Sequence, residues 1–280
     1  MLRMIRSRHF VAGALVLALA SLSSAQGVAW VKGFDSARAQ AGKSNKLIMV
    51  DFWTTWCGYC KQMDATTMKS LEVIKTLKSV VPVKLNAEKE GRSLAMKHGV
   101  QSFPTFLFLD SSGAVFGQAV GMMNDRQFSE SVKEVAARFR DFQAGTARLK
   151  KNAKDGEALA MLSYVNAARG EVALAEAQAD KAIKTGFKGA KLASALVTLG
   201  DFHRINRRQA VALGFYKKSL APKGSPRDTA YAHYAVAALS ADVGKTAEAK
   251  KHVNLALQVK SAPKEIIEAA KKLQAHLSKA

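Results

Sequence analysis

Residues 50–61 read VDFWTTWCGYCK and contain both cysteines of this 280-residue chain, Cys57 and Cys60. The run KLIMVDFW at 46–53 is almost continuously apolar, which is typical of a strand buried on both faces. A helical pattern follows at 60–79. The segment therefore predicts a strand that leads into a helix, with the two cysteines at the start of that helix.

The composition excludes several classes of protein. Hydrophobic residues make up 48% and charged residues 23% of the chain, which is ordinary for a packed globular protein. A mainly disordered, collagen-like or polytopic membrane protein is therefore excluded. Two cysteines are also too few for a small domain held together by disulfides. The length favours two domains.

The spacing of the cysteines suits thiol chemistry. Cys57 at a helix N-terminus would meet free backbone N–H groups and the positive end of the helix dipole, which lowers the pKa of a thiol below its free value of about 8.5. Cys60 follows one turn later on the same face, within the Cα separation that a disulfide allows. Gly58 leaves no side chain in the way of a substrate sulfur. We predict a redox-active disulfide between Cys57 and Cys60.

Other uses of two cysteines are less consistent with the sequence. Attachment of haem requires a histidine after the second cysteine, where this chain has Lys61. A zinc site would need two further ligands, and His98 is the only imidazole within residues 26–141. A purely structural disulfide around two residues would constrain almost no loop entropy. We expect neither a metal nor a cofactor.

The segments around the cysteines alternate between strand and helix patterns. Such an alternation predicts an α/β domain with a central mixed sheet flanked by helices. The predicted strands are 46–53, 81–85, 105–109 and 114–120, and the predicted helices are 35–42, 60–79, 91–98 and 125–140.

Five short motifs occur in a set order along this half. They are VDFW at 50–53, WCGYCK at 56–61, KLN at 84–86, SFPT at 102–105 and VG at 120–121. Together they resemble the thioredoxin family over about residues 28–140, and most closely its exported branch. The resemblance implies a thioredoxin-like fold and a protein thiol–disulfide oxidoreductase.

The resemblance also implies a role for individual residues. Cys57 would be the attacking thiolate and Cys60 the resolving thiol. Asp51 would take or relay the proton of Cys60, and Lys84 would face Asp51 and tune its charge. Pro104 would be cis. The residues implied to bind substrate are Trp56, Gly58, Tyr59, Phe103, Pro104 and Gly121.

Departures from the family pattern bear on the direction of the reaction. Tyr59 stands where the reductases of the family usually have proline, and the Gly-Tyr pair is similar to that of exported disulfide isomerases. Phe103 is bulkier than the usual aliphatic residue before the proline. Asp51 resembles the reductases, whereas the strongest oxidants lack this acid. We favour a reductase or an isomerase over an oxidant.

The N-terminus predicts export. Arg3, Arg6 and Arg8 precede an uncharged, mostly apolar run of eleven residues at 10–20, and small residues at 23–25 suit a cleavage site. At about 1.5 Å per residue this run is too short for a membrane core of about 30 Å. We predict a signal peptide over 1–25, cleaved after Ala25, and a periplasmic or secreted mature chain without a membrane span.

The second half differs from the first in charge and pattern. Residues 142–280 carry 24 Lys+Arg and 11 Asp+Glu, a net charge of +13, whereas residues 26–141 carry 16 and 11, a net charge of +5. A shift of 37 residues aligns apolar and small positions, among them Ala175, Ala212 and Ala249. This period predicts pairs of amphipathic helices that stack on neighbouring pairs.

The repeat resembles the tetratricopeptide family at Leu199-Gly200, Ala212, Tyr216 and Ser219, although the usual period is about 34 and the tryptophan of that motif is missing. Gly170 and Gly244 lie at the middle of units one and three, where unit two has Arg207. The predicted organisation is a thioredoxin-like domain at 26–141, a linker at 142–156 and an all-α helical-hairpin repeat domain at 157–280.

The predicted partners follow from the two domains. The redox pair implies cysteine-containing client proteins and a redox partner that resets the site. The repeats suit a protein partner or self-association, and the net charge favours acidic ligands. The cluster Arg204, Arg207 and Arg208 lacks interleaved aromatic residues, so nucleic acid is not favoured. The alternative is a repeat-based adaptor whose redox domain senses or tethers.

Overall fold

The structure is a computed structural model that describes residues 27–278. The signal peptide predicted at 1–25 lies outside the described residues. The first half contains four strands and five α-helices, with a 3-10 turn at Thr67–Lys69. In chain order they are α1 (Phe34–Ser44), β1 (Ile48–Trp53), α2 (Gly58–Ala65), α3 (Leu71–Leu77), β2 (Val81–Asn86), α4 (Arg92–Lys97), β3 (Thr105–Leu109), β4 (Val115–Val120) and α5 (Asp125–Lys151).

The four strands form one mixed sheet in the order β2-β1-β3-β4. β1 pairs in parallel with β2 and antiparallel with β3, and β3 pairs antiparallel with β4. The first five residues of β1 are fully buried because helices cover both faces of the sheet. Successive side chains alternate between these faces: Met49 packs with Phe128 of α5, and Val50 packs with Ala41 of α1. The predicted α/β class with a central mixed sheet is confirmed.

The helix predicted at 60–79 is interrupted. α2 ends at Ala65, and Thr66 leaves the helical region with φ −121° and ψ −83°. The Thr67 hydroxyl then donates to the backbone oxygen of Met123, 2.8 Å away. Because β-branched residues are weak helix formers and this hydroxyl has a partner outside the helix, the chain turns here and resumes as α3.

The helix predicted at 125–140 is longer than expected. α5 continues to Lys151, so the segment predicted as a linker at 142–156 is helical over most of its length. Near its start Phe128 packs on the sheet. Farther along, Gly145 lies so close to the following helix that a Cβ there would be 2.9 Å from Cγ of Leu162. Contacts on both sides keep this polar, basic stretch helical.

The second half is entirely α-helical, as predicted. Its helices are α6 (Gly156–Ala168), α7 (Val172–Lys184), α8 (Ala190–Ile205), α9 (Gln209–Ser219), α10 (Pro226–Asp242), α11 (Thr246–Gln258) and α12 (Lys264–Leu277). α6 packs on α7, α8 on α9, and α10 on α11. The aligned alanines Ala175, Ala212 and Ala249 are fully buried, and their small side chains let the paired helices approach closely.

The 37-residue spacing is also visible in the backbone. Gly170, Arg207 and Gly244 each follow the first helix of a pair, and their φ angles are 81°, 59° and 73°. The same left-handed turn is thus made by two glycines and one arginine. Membership of the tetratricopeptide family stays a prediction. Within residues 27–278 no helix is both long and apolar enough to cross a membrane.

Candidate active site

The turn between β1 and α2 holds the two cysteines. Cys57 is the N-cap of α2, and its Sγ accepts a hydrogen bond from the backbone N–H of Cys60 at 3.0 Å. The two residues form a disulfide with a Cα–Cα distance of 5.4 Å. Both side chains are buried. A sulfur at this cap lies where the free N–H groups of the helix favour negative charge, so the position suits a thiolate at Cys57 once the disulfide is reduced.

Two large side chains frame the disulfide on the solvent side. Trp56 is 67% exposed and Tyr59 is 63% exposed. Between them, a Cβ at Gly58 would have no atom within 4 Å. Exposed aromatic residues are unusual on a surface that contacts only water, and here two of them lie on either side of Gly58 in the sequence.

The loop before β3 lies next to this surface. The Phe103–Pro104 peptide bond is cis. The Phe103 ring meets the Trp56 ring edge to face, with their centres 5.8 Å apart. Gly121, with φ 90°, donates its backbone N–H to the Pro104 oxygen at 2.8 Å. The structure therefore brings Trp56, Phe103, Pro104 and Gly121 together from three separate parts of the sequence.

A buried carboxyl group lies beneath this surface. Asp51 on β1 is opposite Lys84 on the parallel strand β2, and Oδ2 of Asp51 is 3.5 Å from Nζ of Lys84. Burial raises the pKa of Asp51 to about 7, and the negative charge of Asp64 acts in the same direction. The positive charge of Lys84 opposes these effects. Asp51 can therefore exchange a proton near neutral pH.

Asp64 is a site residue that the sequence analysis missed. Its Oδ1 pairs with Nζ of Lys84 by a hydrogen bond and a salt bridge. Asp64 lies four residues after Cys60 on α2, so the two side chains are one turn apart on the same side of the helix. The four-residue spacing of Cys60 and Asp64 is visible in the sequence. It indicates a site residue only when the structure shows that Lys84 contacts Asp64.

Glu88 was also missed. Its Oε2 accepts hydrogen bonds from the backbone N–H and the hydroxyl of Thr55, at 3.0 and 2.9 Å. Its Oε1 accepts from Nε1 of Trp56 at 3.1 Å. The hydrogen bonds from Thr55 hold the pKa of Glu88 below its usual value. This carboxylate fixes the exposed indole beside the disulfide, from 32 positions away in the sequence.

Across residues 27–278, no three side chains of His, Cys, Asp or Glu converge on a position where they could hold a metal ion. The fold joins the two cysteine sulfurs in one disulfide, and it places the carboxyl groups of Asp51 and Asp64 beside the ammonium group of Lys84.

Comparison with known proteins places the first half in a family. Residues 34–136 match the family model described as a thioredoxin-like domain. The chain is 31% identical over 104 residues to thioredoxin H-type of Oryza sativa subsp. indica, which covers 37% of this chain and 81% of that protein. It is 37% identical over 78 residues, 28% of this chain, to protein disulfide isomerase-like 5-3 of Oryza sativa subsp. japonica, and spans only 17% of that longer protein.

A solved structure is similar over the same half. The solution structure of a thioredoxin from Thermus thermophilus has 25% sequence identity and a TM-score of 0.38, and the match covers 40% of this chain and 90% of that one. The family model ends at residue 136, inside α5, so the seven helices that follow lie outside the matched range.

Proposed function

Because this chain belongs to the thioredoxin family, we propose that it is a thiol–disulfide oxidoreductase that acts on protein disulfides through Cys57 and Cys60. The observation that carries the proposal is the position of Cys57. Its sulfur caps α2 and accepts the N–H of Cys60, and the next residue, Gly58, has open space where a Cβ would be. A pair held in this way combines a stabilised thiolate with access for a second sulfur.

The reaction runs in two exchanges. The Cys57 thiolate attacks a client disulfide, forms a mixed disulfide and releases one client thiolate. Cys60 then loses its proton to Asp51, attacks Sγ of Cys57, and releases the second client sulfur as a thiolate. The cysteine pair is oxidised and the client disulfide is reduced. Lys84 tunes the charge on Asp51, and Trp56, Tyr59, Phe103 and Pro104 line the approach of the client.

The proposed direction is that of a reductase or an isomerase. Tyr59 between the cysteines and the carboxyl group of Asp51 below them support this direction. An acid with a pKa of about 7 can accept the proton of Cys60 during release of the client and return it during the reverse exchange. Both exchanges are needed by an enzyme that reduces or rearranges disulfides.

We further propose that the chain works outside the cytoplasm. The charged and apolar pattern at 1–25 supports export to the periplasm or secretion. A disulfide persists in such a compartment. The clients are then exported proteins with cysteines, and a separate redox partner must reduce the Cys57–Cys60 disulfide each time a client disulfide is reduced.

The helical half is proposed to bind clients or a protein partner, or to join two copies of the chain. Arg204 is engaged within the fold, since its Nε donates to the Tyr216 hydroxyl at 3.3 Å and its Nη2 lies 3.6 Å from Asp201. This arrangement gives no support to a nucleic-acid surface at the arginine cluster. A protein surface is the proposal that the stacked helices support.

Trapping of the mixed disulfide tests the proposed activity. Cys60→Ser removes the resolving thiol, and no other cysteine in the chain can replace it. The full chain with this substitution should accumulate covalent complexes with exported proteins that dithiothreitol releases. Cys57→Ser is the matched control and should trap nothing. If the two variants behave alike, and if insulin reduction by wild type equals that of Cys57→Ser, the redox proposal fails and an adaptor is favoured.

A further inference from the structure

The ammonium group of Lys84 is shared unequally between two carboxylates. Its Nζ donates a hydrogen bond to Oδ1 of Asp64, whereas Oδ2 of Asp51 is 3.5 Å away. Asp51 has a side chain that is 4% exposed, against 43% for Asp64. The buried carboxyl group, which most needs a counter-ion, thus has the weaker contact with the cation.

Few other charges reach Asp51. From β2 the facing charge is Lys84, and from α2 it is Asp64. The residue opposite Asp51 on β3 is the apolar Phe106. Lys84 is the only cation within 4 Å of Asp51 in the described chain, 27–278. Whatever holds Lys84 therefore changes how strongly a cation opposes the effect of burial on Asp51.

We infer that Asp64 is a positioning residue for the proton transfer at Cys60, and that it acts by holding the Lys84 ammonium away from Asp51. This inference rests on the proposed thiol–disulfide activity. Asp64 does not touch the reacting sulfurs. Its place one turn after Cys60 puts the Lys84 contact on the side of α2 that carries the resolving cysteine.

The rings around Lys84 help to keep it in this position. Nζ of Lys84 lies 5.8 Å from the ring centre of Trp30 and 5.7 Å from that of Trp53. These cation–π contacts limit where the ammonium group can move. The group is therefore placed between the two carboxylates and cannot swing freely into solvent.

The step that Asp64 adjusts is the second exchange. The proton on Sγ of Cys60 passes to the Asp51 carboxylate, and Sγ of Cys60 forms a bond with Sγ of Cys57. The bond between Cys57 and the client sulfur breaks, and its electron pair leaves with the client sulfur. The cysteine pair loses two electrons, which the client gains. The rate of this step follows the fraction of Asp51 that is ionised and its strength as a base.

Replacement of Asp64 should shift the protonation equilibrium of Asp51 toward the ionised form. In Asp64→Asn the Lys84 ammonium has only Asp51 as an anionic partner, and one nearby negative charge is lost. Both changes favour the ionised form of Asp51. The pH at which the resolving step reaches half its maximum rate should therefore fall by about one unit.

The experiment uses the reduced full chain and dithiobisnitrobenzoate as the probe. Attack by Cys57 releases one thionitrobenzoate, and attack by Cys60 releases the second in a first-order step that absorbance records. The rate of the second release is measured from about pH 5 to 9, a range that brackets the raised pKa of Asp51, about 7, and the free thiol value of about 8.5. Asp64→Asn is compared with Asp64→Glu, which restores the carboxylate, with Asp51→Asn, and with Asp35→Asn, an exposed aspartate on α1.

We expect the pH midpoint of the second release to be lower in Asp64→Asn. It should stay near the wild-type value in Asp64→Glu and Asp35→Asn. Asp51→Asn should lose this titration. A profile of Asp64→Asn that coincides with wild type overturns the inference, as does an unchanged midpoint in Asp51→Asn. Failure of wild type to release the second thionitrobenzoate would instead contradict the proposed function, and the inference with it. Circular dichroism of each variant checks the fold.

Discussion

The guanidinium of Arg169 lies 4.5 Å from the centre of the Phe116 ring, and this contact joins the end of α6 to the edge strand β4. Nε of Arg169 donates to the Val115 backbone oxygen at 3.0 Å, and the same guanidinium lies 5.4 Å from the ring centre of Phe142. One side chain thus covers an exposed strand edge and links the sheet to the helical half.

Arg169→Ala should lower the free energy of unfolding by about 2 kcal/mol, because it removes a cation–π contact and a hydrogen bond to β4. Arg169→Lys is the control, since it keeps the charge but loses the planar group that stacks on two rings. Urea unfolding followed by circular dichroism measures both. Equal stability of the Arg169→Ala variant and wild type would show that this contact does not stabilise the junction.

Glu88→Ala should slow the reduction of insulin about threefold to tenfold, because the Trp56 indole is no longer held beside the disulfide. Glu88→Gln keeps an acceptor oxygen for Nε1 of Trp56 and should retain most of the rate. The indole N–H resonance of Trp56 should exchange faster with solvent in Glu88→Ala. Unchanged exchange in that variant would mean that another contact holds the ring.

Asp51→Asn should stabilise the chain at pH 8 by about 4 kcal/mol, with little effect at pH 4. The pKa of Asp51 is raised to about 7 in the folded chain from an ordinary value of 3.8. Between these values the folded state binds more protons than the unfolded state, so stability falls as pH rises. Urea unfolding of wild type and variant across this window checks the prediction. Parallel pH profiles would contradict it.

Arg207→Gly should raise the free energy of unfolding by about 1 kcal/mol, because Arg207 adopts φ 59° where the equivalent turns use glycine. Arg207→Ala is the matched control. It removes the same charge but keeps a Cβ, so it should not stabilise. A gain of equal size in both variants would assign the effect to the lost charge instead of the backbone.

His233 and His252 should make the helical half sensitive to acid. Their Nδ1 atoms are 3.0 Å apart, and burial with the neighbouring ring lowers the pKa of His233 to about 4. The unfolded chain therefore binds the extra proton between about pH 6.5 and 4, and stability is lost as pH falls through that window.

Because both rings are partly exposed, we expect a loss of about 1 kcal/mol for this pair. His233→Gln should flatten the pH dependence of unfolding, whereas His276→Gln, an exposed control on α12, should leave it unchanged. Thermal unfolding from about pH 7 to 4 is the measurement. If His233→Gln follows the same pH curve as wild type, the histidine pair does not titrate as stated.

The local pattern of the chain was enough to predict the redox domain and its cysteine site. The run at 46–53, which is apolar except for Lys46 and Asp51, indicates a strand whose two faces are covered by helices. The position of Cys57 at a helix start follows from the same few residues. The α-helical second half could be predicted because its small and apolar residues recur at helical spacing, and this spacing is visible in the sequence alone.

The length of α5 and the break after Ala65 could not be predicted in this way. The stretch after residue 141 is polar and basic, and α5 continues through it because the helix packs on the sheet at Phe128 and on α6 at Gly145. Thr66 and Thr67 are tolerated in many helices. The hydroxyl of Thr67 leaves the helix because a carbonyl oxygen of Met123, 56 residues away, is within reach.

The sulfur pair, the strand that leads into it and the class of both halves could be predicted because each depends on residues that are neighbours in the chain. The contacts of Asp64 and Glu88 near this pair appear only when the chain is folded. Asp64 pairs with Lys84, and Glu88 holds Trp56, across 20 and 32 positions. The energy of an ion pair depends on distance and burial in space, and neither quantity can be read from the order of residues along the chain.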